Sequence, residues 1–189
     1  MEQITQQFPK AYNAILTATT LSGFTMASDI LTGSLLRTLA ASKPSGAFLE
    51  LGTGTGLSTS WILDGMDASS TLISIDNDAA FLNIANTQLG NDSRVELVLT
   101  DGAKWVEENK HRQFDYIFAD TWHGKYLLLN EVLAMIKKGG LFDDMLPQPN
   151  WPEGHQEKAL QLVSYLETRE DLFLTKQVWS TGIIIAVKK

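Results

Sequence analysis

The sequence predicts an α/β fold: a doubly wound, mostly parallel sheet that ends in an antiparallel β-hairpin. Three observations predict it. Short apolar runs alternate with helix-like segments from residue 47 onward. The first such run passes through Gly52, Gly54 and Gly56 straight into a helix-like segment. The last two apolar runs have no helix between them, only a short turn.

In order, residues 10–21 and 29–41 read as helices, the second with Ile30, Leu31, Leu35 and Leu39 at helical spacing. Lys43-Pro44-Ser45-Gly46 stops it. Ala47–Leu51 is the first strand and Leu57–Gly65 the helix after the glycine turn. Residues 71–75 form the second strand, ending at Asp76, and Ala79–Leu89 a helix closed by Gly90-Asn91. Val95–Leu99 is the third strand, followed by Asp101 and a helix over 103–109. Phe114–Ala119 is the fourth, ending at Asp120. Residues 126–137 read as one helix, with Leu129, Val132, Leu133 and Ile136 on a single face and Gly139-Gly140 closing it. The fifth strand is then only Leu141-Phe142, followed by Asp143-Asp144. After a proline-rich loop, 156–168 is a helix, and 172–179 and 182–188 are the hairpin strands, joined through Ser180-Thr181.

With 189 residues the chain reads as a single domain over 1–189, with 1–42 as an N-terminal helical segment. Its hydrophobic content of 44% suffices for a sizeable core. A net charge of −7 argues against gripping a nucleic-acid backbone. The absence of cysteine excludes disulfides and thiolate metal sites. The N-terminus lacks the basic and apolar regions of a signal peptide, and no run of about 18 apolar residues would span a membrane. The expectation is a cytoplasmic protein with no nucleic-acid or membrane partner.

In open α/β sheets ligands bind outside the carboxyl ends of the strands. Here a carboxylate stands at or just after the end of every strand from one to five: Glu50, Asp76, Asp101, Asp120 and the pair Asp143-Asp144. Asp76 lies 24 positions beyond Gly52, where an acid can accept from both hydroxyls of a ribose. Asp101 before a helix equally fits a plain N-cap.

The glycine spacing decides among nucleotide ligands. A dinucleotide turn has Gly-x-Gly-x-x-Gly; this one is Gly52-Thr53-Gly54-Thr55-Gly56, one residue tighter and preceded by Glu50. The stretch resembles the first motif of the class I S-adenosylmethionine-dependent methyltransferases, Glu-x-Gly-x-Gly-x-Gly, on a Rossmann-like fold. Glu50-Leu51-Gly52, Gly56 and Ser58, with Asp115–Tyr126 containing Asp120 and Trp122, resemble more narrowly the catechol O-methyltransferase-like family, over residues from about 24 onward.

The resemblance implies a methyl transfer from S-adenosylmethionine to a small-molecule acceptor, most simply a hydroxyl oxygen. It implies cofactor contacts from Glu50, Gly52, Thr53, Gly54, Gly56, Ser58, Asp76, Asn77, Asp101, Gly102, Ala103, Asp120 and Trp122. Ser58 would hold the methionine carboxylate and Trp122 would lie against the adenine. A divalent cation such as Mg²⁺ would be held by Asp120, Asp143 and Asp144, the last standing where the family has an amide. Similar enzymes often pair through their N-terminal helices, and this chain's N-terminal segment permits a homodimer without specifying one.

Two departures matter. A fifth strand of two residues would shift the acidic pair by roughly 6–7 Å along the strand. Where the family often has a catalytic lysine this chain has His123, with Lys125 two residues later. His123 could serve as general base near neutral pH, with Asp120 beside it. Phe24 and Met26 are candidate pocket residues or plain core, and Trp151 a candidate wall of the acceptor site or a packed connector. Three other readings stay open: a methyltransferase on the same fold that needs no Mg²⁺, an NAD-dependent oxidoreductase, against which the glycine spacing and hairpin count, and a non-catalytic S-adenosylmethionine-binding protein.

Overall fold

The computed structural model describes residues 7–142, 145–146, 153–178 and 181–189. Seven strands form one sheet in the order β3-β2-β1-β4-β5-β7-β6. They are β1 (Ala47–Leu51), β2 (Thr71–Asp76), β3 (Val95–Leu99), β4 (Phe114–Ala119), β5 (Ile136–Phe142), β6 (Leu172–Gln177) and β7 (Ile183–Lys188). β1 to β5 are parallel; β7 runs antiparallel to both β5 and β6. The helices are α1 (Tyr12–Ser22), α2 (Ile30–Ala41), α3 (Leu57–Gly65), α4 (Ala79–Leu89), α5 (Gly102–Asn109), the single turn α6 (Trp122–Lys125), α7 (Leu129–Met135) and α8 (His155–Glu167). The doubly wound sheet with its terminal antiparallel pair is the architecture the sequence predicts.

Side-chain parity builds the two cores. Alternate residues of a strand face opposite sides of the sheet. On β1, Leu49 and Leu51 join Ile117 and Ala119 of β4 beneath α5, α7 and α8. Phe48 joins Tyr116 and Phe118 beneath α1 to α4. With both faces covered, the central strands are apolar on both sides. Glu50 shares the parity of Phe48 and therefore points into the layer of α3.

α2 and α3 pack at very short range. A methyl on Gly65 would lie 2.1 Å from the Arg37 carbonyl oxygen, and one on Gly33 2.4 Å from the Trp61 ring. Alanine normally favours a helix over glycine by about 1 kcal/mol. At Gly65 the obstacle is backbone, which cannot yield, so the sign reverses. Gly65→Ala is expected to destabilise the fold by about 2 kcal/mol, read as a lowered urea midpoint; an unchanged or raised midpoint would contradict this packing.

The structure corrects the reading of residues 126–142. Leu128 has φ +57°, so α7 begins only at Leu129. The helix ends at Met135, and Ile136 is already extended and paired with Phe114. Gly139 and Gly140 are not helix terminators; they lie inside β5, paired with Tyr116 and Ile117 on one side and Val187 and Ala186 on the other. Long-range pairing overrides the local glycine signal. The fifth strand thus has seven residues, not two, and Phe142 pairs with Ala119 at the same sheet edge as the end of β4. The shortened-strand argument against the acidic pair falls, while Asp143 and Asp144 themselves lie outside the described residues.

Candidate active site

The glycine turn is shaped by three positive φ angles: 103° at Gly52, 52° at Gly54 and 94° at Gly56. Gly52 and Thr53 both donate backbone N–H bonds to the Ile75 carbonyl, at 2.9 and 3.1 Å, which ties the turn to β2. At Gly52 an added methyl would meet the Asp120 carbonyl at 2.9 Å, so β1 and β4 can run this close only with glycine there. Gly56 serves packing rather than lining: its α-carbon faces Ala85 of α4, where a methyl would lie at 2.9 Å.

Above this edge lies a cavity of about 620 Å³, within the range of small-molecule sites. One end is lined by Gly52, Thr53, Gly54, Ser58, Asp76, Asn77 and Phe81. The other is lined by Asp120, Trp122, Lys125, Tyr126, His155 and Thr181. The segment from Phe24 to Asp29 forms a side wall, so Phe24 and Met26 do face the cavity. Phe24 packs on Phe81 with ring centroids 4.6 Å apart. Asp29 caps α2, accepting from the Leu31 N–H at 2.7 Å.

Asp76 stands at the centre of the first end. Its Oδ2 accepts from the Gly54 N–H at 2.7 Å and its Oδ1 from the Asp78 N–H at 2.8 Å. Each oxygen keeps a second lone pair for a ligand. Asp120 governs the other end. Lys125 Nζ donates to its Oδ1 at 3.1 Å and Ser28 Oγ to its Oδ2 at 3.3 Å. The Tyr126 hydroxyl and His155 Nε2 share a hydrogen bond of 3.2 Å, and the Trp122, Tyr126 and His155 rings meet edge to face. Lys158 sits 4.1 Å from the Trp122 ring centroid. Burial, then the Lys125 and Lys158 cations, hold the His155 pKa below its ordinary value.

Several predicted residues take other places. Glu50 is fully buried and does not line the cavity. Its Oε2 accepts from Thr59 Oγ1 and Ser74 Oγ, both at 2.5 Å, and the Ser74 hydroxyl shares a 2.6 Å bond with Thr53 of the glycine turn. Desolvation raises its pKa to about 7 against the pull of the Ser58, Ser74 and Thr59 hydroxyls, with the Asp120 charge adding to the rise. Strand parity explains this placement: Glu50 faces α3, beneath the turn. Asp101 caps α5, accepting from the Lys104 N–H at 2.9 Å. Its carboxylate stands 3.8 Å from His123 Nε2. His123 and Gly102 line a recess of about 40 Å³ with Thr100, which adjoins the large cavity and shares Gly52, Asp76, Asn77 and Thr121 with it; Asp101 and Ala103 line neither. A non-helical His123 (ψ 129°) and Gly124 at φ +87° turn the chain so that Lys125, not His123, enters the cavity.

Asp120 is the described member of the metal set that the resemblance implies; Asp143, Asp144 and Trp151 lie outside the described residues. Among the described residues no group of three His, Cys, Asp or Glu side chains could hold a metal ion. Nor, among them, is any helix long and apolar enough to cross a membrane. Sequence reasoning missed Tyr126 and His155. They converge from segments 29 positions apart, and no local spacing marks such a meeting.

Comparison with known proteins adds to this geometry. Two Mycobacterium leprae proteins (strains Br4923 and TN), named as candidate O-methyltransferases, are each 29% identical over 93 residues. The match covers 47% of this chain and 42% of theirs, so the chain matches less than half the length of these relatives. Among solved structures, an O-methyltransferase from Bacillus cereus in complex with S-adenosylhomocysteine superposes with a TM-score of 0.83 at 16% identity, covering 98% of this chain and 94% of that one. The O-methyltransferase TomG from Streptomyces achromogenes, involved in tomaymycin synthesis and solved with S-adenosylmethionine, gives 0.82 at 19% identity, covering 98% and 92%. These likenesses establish a shared fold. The family model described as "Methyltransferase domain" matches residues 49–145, from within β1 to just past β5, which is just over half of the sequence. By that match, this chain belongs to the methyltransferase domain family.

Proposed function

We propose that the chain transfers a methyl group from S-adenosylmethionine to a hydroxyl oxygen of a small-molecule acceptor. One observation carries the reading: a single cavity has the glycine turn and Asp76 at one end and the Asp120–Lys125 pair with Tyr126 and His155 at the other. The first end suits a nucleoside and an amino-acid tail, with Asp76 accepting from the ribose and Ser58 at the helix N-terminus meeting the carboxylate. Asn77 and Trp122, which line the same cavity, would border the adenosine. The fold of the Bacillus and Streptomyces neighbours, and the S-adenosylhomocysteine and S-adenosylmethionine bound to them, support this choice.

The reaction asks little covalent chemistry of the protein, because the sulfonium methyl is already activated. The acceptor oxygen attacks in line: the O–C bond forms, the C–S bond breaks, and sulfur keeps the electron pair. The hydroxyl proton passes to the Tyr126 hydroxyl as that hydroxyl gives its own proton to His155 Nε2, along the 3.2 Å hydrogen bond the two share. The His155 side chain is held neutral at pH 7 by its lowered pKa and lies in the cavity, which favours it over His123 as the base. The cavity size supports a small acceptor.

Calorimetric titration with S-adenosylhomocysteine, with NAD as control, tests the cofactor. Micromolar binding of the thioether and none of NAD is expected. The reverse preference would overturn the reading in favour of an oxidoreductase.

A further inference from the structure

The Asp120–Lys125 pair has a consequence for the cation requirement of the site. Asp120 follows β4 directly, and its N–H donates to the Leu51 carbonyl at 3.0 Å, so its backbone is fixed. Its side chain is 11% exposed and that of Lys125 only 5%. The turn of α6 drives the lysine inward. Tyr126 N–H bonds the Trp122 carbonyl at 2.9 Å, Gly124 N–H the Leu127 carbonyl at 2.7 Å, and Gly124 packs against Leu51 where a methyl would meet it at 2.8 Å. An ammonium is thus locked onto one carboxylate oxygen while Ser28 donates to the other.

A divalent ion on Asp120 would have to displace that ammonium or stand against it at close range. In a site this dehydrated the like-charge contact is strongly unfavourable. Mg²⁺ also asks for near-octahedral oxygens, and among the described residues no second and third His, Cys, Asp or Glu side chain gathers with Asp120 to supply them. The described donors do not fit a metal.

We propose that the Lys125 ammonium, fixed on Asp120, is the resident cation of the acceptor site, and that the centre works without a divalent ion. This rests on the methyl-transfer reading. Lys125 changes no bond in the reaction. It faces the acceptor oxygen and holds the negative charge that grows there as the proton leaves. An ammonium carries three N–H donors, so Lys125 can stay on Asp120 and still meet the acceptor oxygen, and it imposes no chelate geometry: the acceptor need not present the neighbouring pair of oxygens that a chelated metal would require.

Mn²⁺ titration followed by electron paramagnetic resonance tests this on the whole chain, with and without S-adenosylhomocysteine. The free Mn²⁺ signal is expected to be undiminished by the wild-type protein. S-adenosylhomocysteine affinity should differ by less than about twofold between EDTA and Mg²⁺. Loss of the signal in proportion to protein, abolished by Asp120→Asn, would overturn the proposal. A second readout asks whether the pair is real: Asp120→Asn and Lys125→Gln should each lower the melting temperature, and the double variant should lose less than their sum. Strict additivity would count against it. Failure of S-adenosylhomocysteine to bind in any condition would sink the methyl-transfer reading, while the Mn²⁺ result would still decide the question of the metal.

Discussion

Asp76→Ala is expected to weaken S-adenosylhomocysteine binding by roughly 30- to 150-fold. The figure follows from the loss of hydrogen bonds to a charged acceptor, about 2–3 kcal/mol. Two effects combine. The carboxylate would accept from the ligand ribose, and it also holds the Gly54 N–H at 2.7 Å and so fixes the crest of the glycine turn. Asp76→Asn separates them. Its amide oxygen can keep the Gly54 bond but loses the charge, so an intermediate loss is expected. Calorimetry on the two variants reads the difference. Equal affinities for wild type and Asp76→Ala would mean that no ribose binds at this end of the cavity.

Glu50 yields the largest expected pH effect on stability. Its pKa rises from 4.5 to about 7 on folding, chiefly through burial. Between those values the folded protein holds a proton that the unfolded chain has released, so stability falls as pH rises through the window and levels off above it. The shift corresponds to about 3 kcal/mol. Glu50→Gln carries no titrating group and mimics the protonated acid, so it is expected to flatten this fall, which urea unfolding from about pH 5 to about pH 8 would show as a pair of curves that diverge as pH rises. Parallel curves for the two proteins would mean that Glu50 is ionised throughout. The connection to the site runs through Ser74 and Thr53, so ionisation of this buried group acts on the glycine turn without touching a ligand.

How far the sequence disclosed the molecule depends on the range of the forces involved. The first four strands were legible because apolar runs bounded by turn residues are local signals. The glycine turn was legible for the same reason, since its positive φ angles demand glycine whatever surrounds them. The fifth strand was misread because Ile136 continues a helical apolar face and two glycines follow, whereas its pairing with β4 and β7 comes from residues up to about 50 positions away. Glu50 was legible as a marker of the turn but not as a buried one; parity along β1 settles its direction only once the covering helix is known. Lys125 and His155 needed the positive φ of Gly124 and the placement of α8, neither of which a local pattern records.

The strand order bears on how the chain reaches this state. β7 lies between β5 and β6 rather than at the rim. Until residues 183–188 have been made and inserted, β5 and β6 lack their shared neighbour, and each exposes an unpaired row of backbone donors and acceptors. The pairing of Gly140 with Ala186 closes a long loop, a slow kind of contact. A nascent chain stalled before this strand would therefore present a sticky sheet margin next to a half-built cavity whose Thr181 wall is also missing. Aggregation during synthesis, rather than loss of thermodynamic stability in the finished protein, is where substitutions in β7 should be felt first.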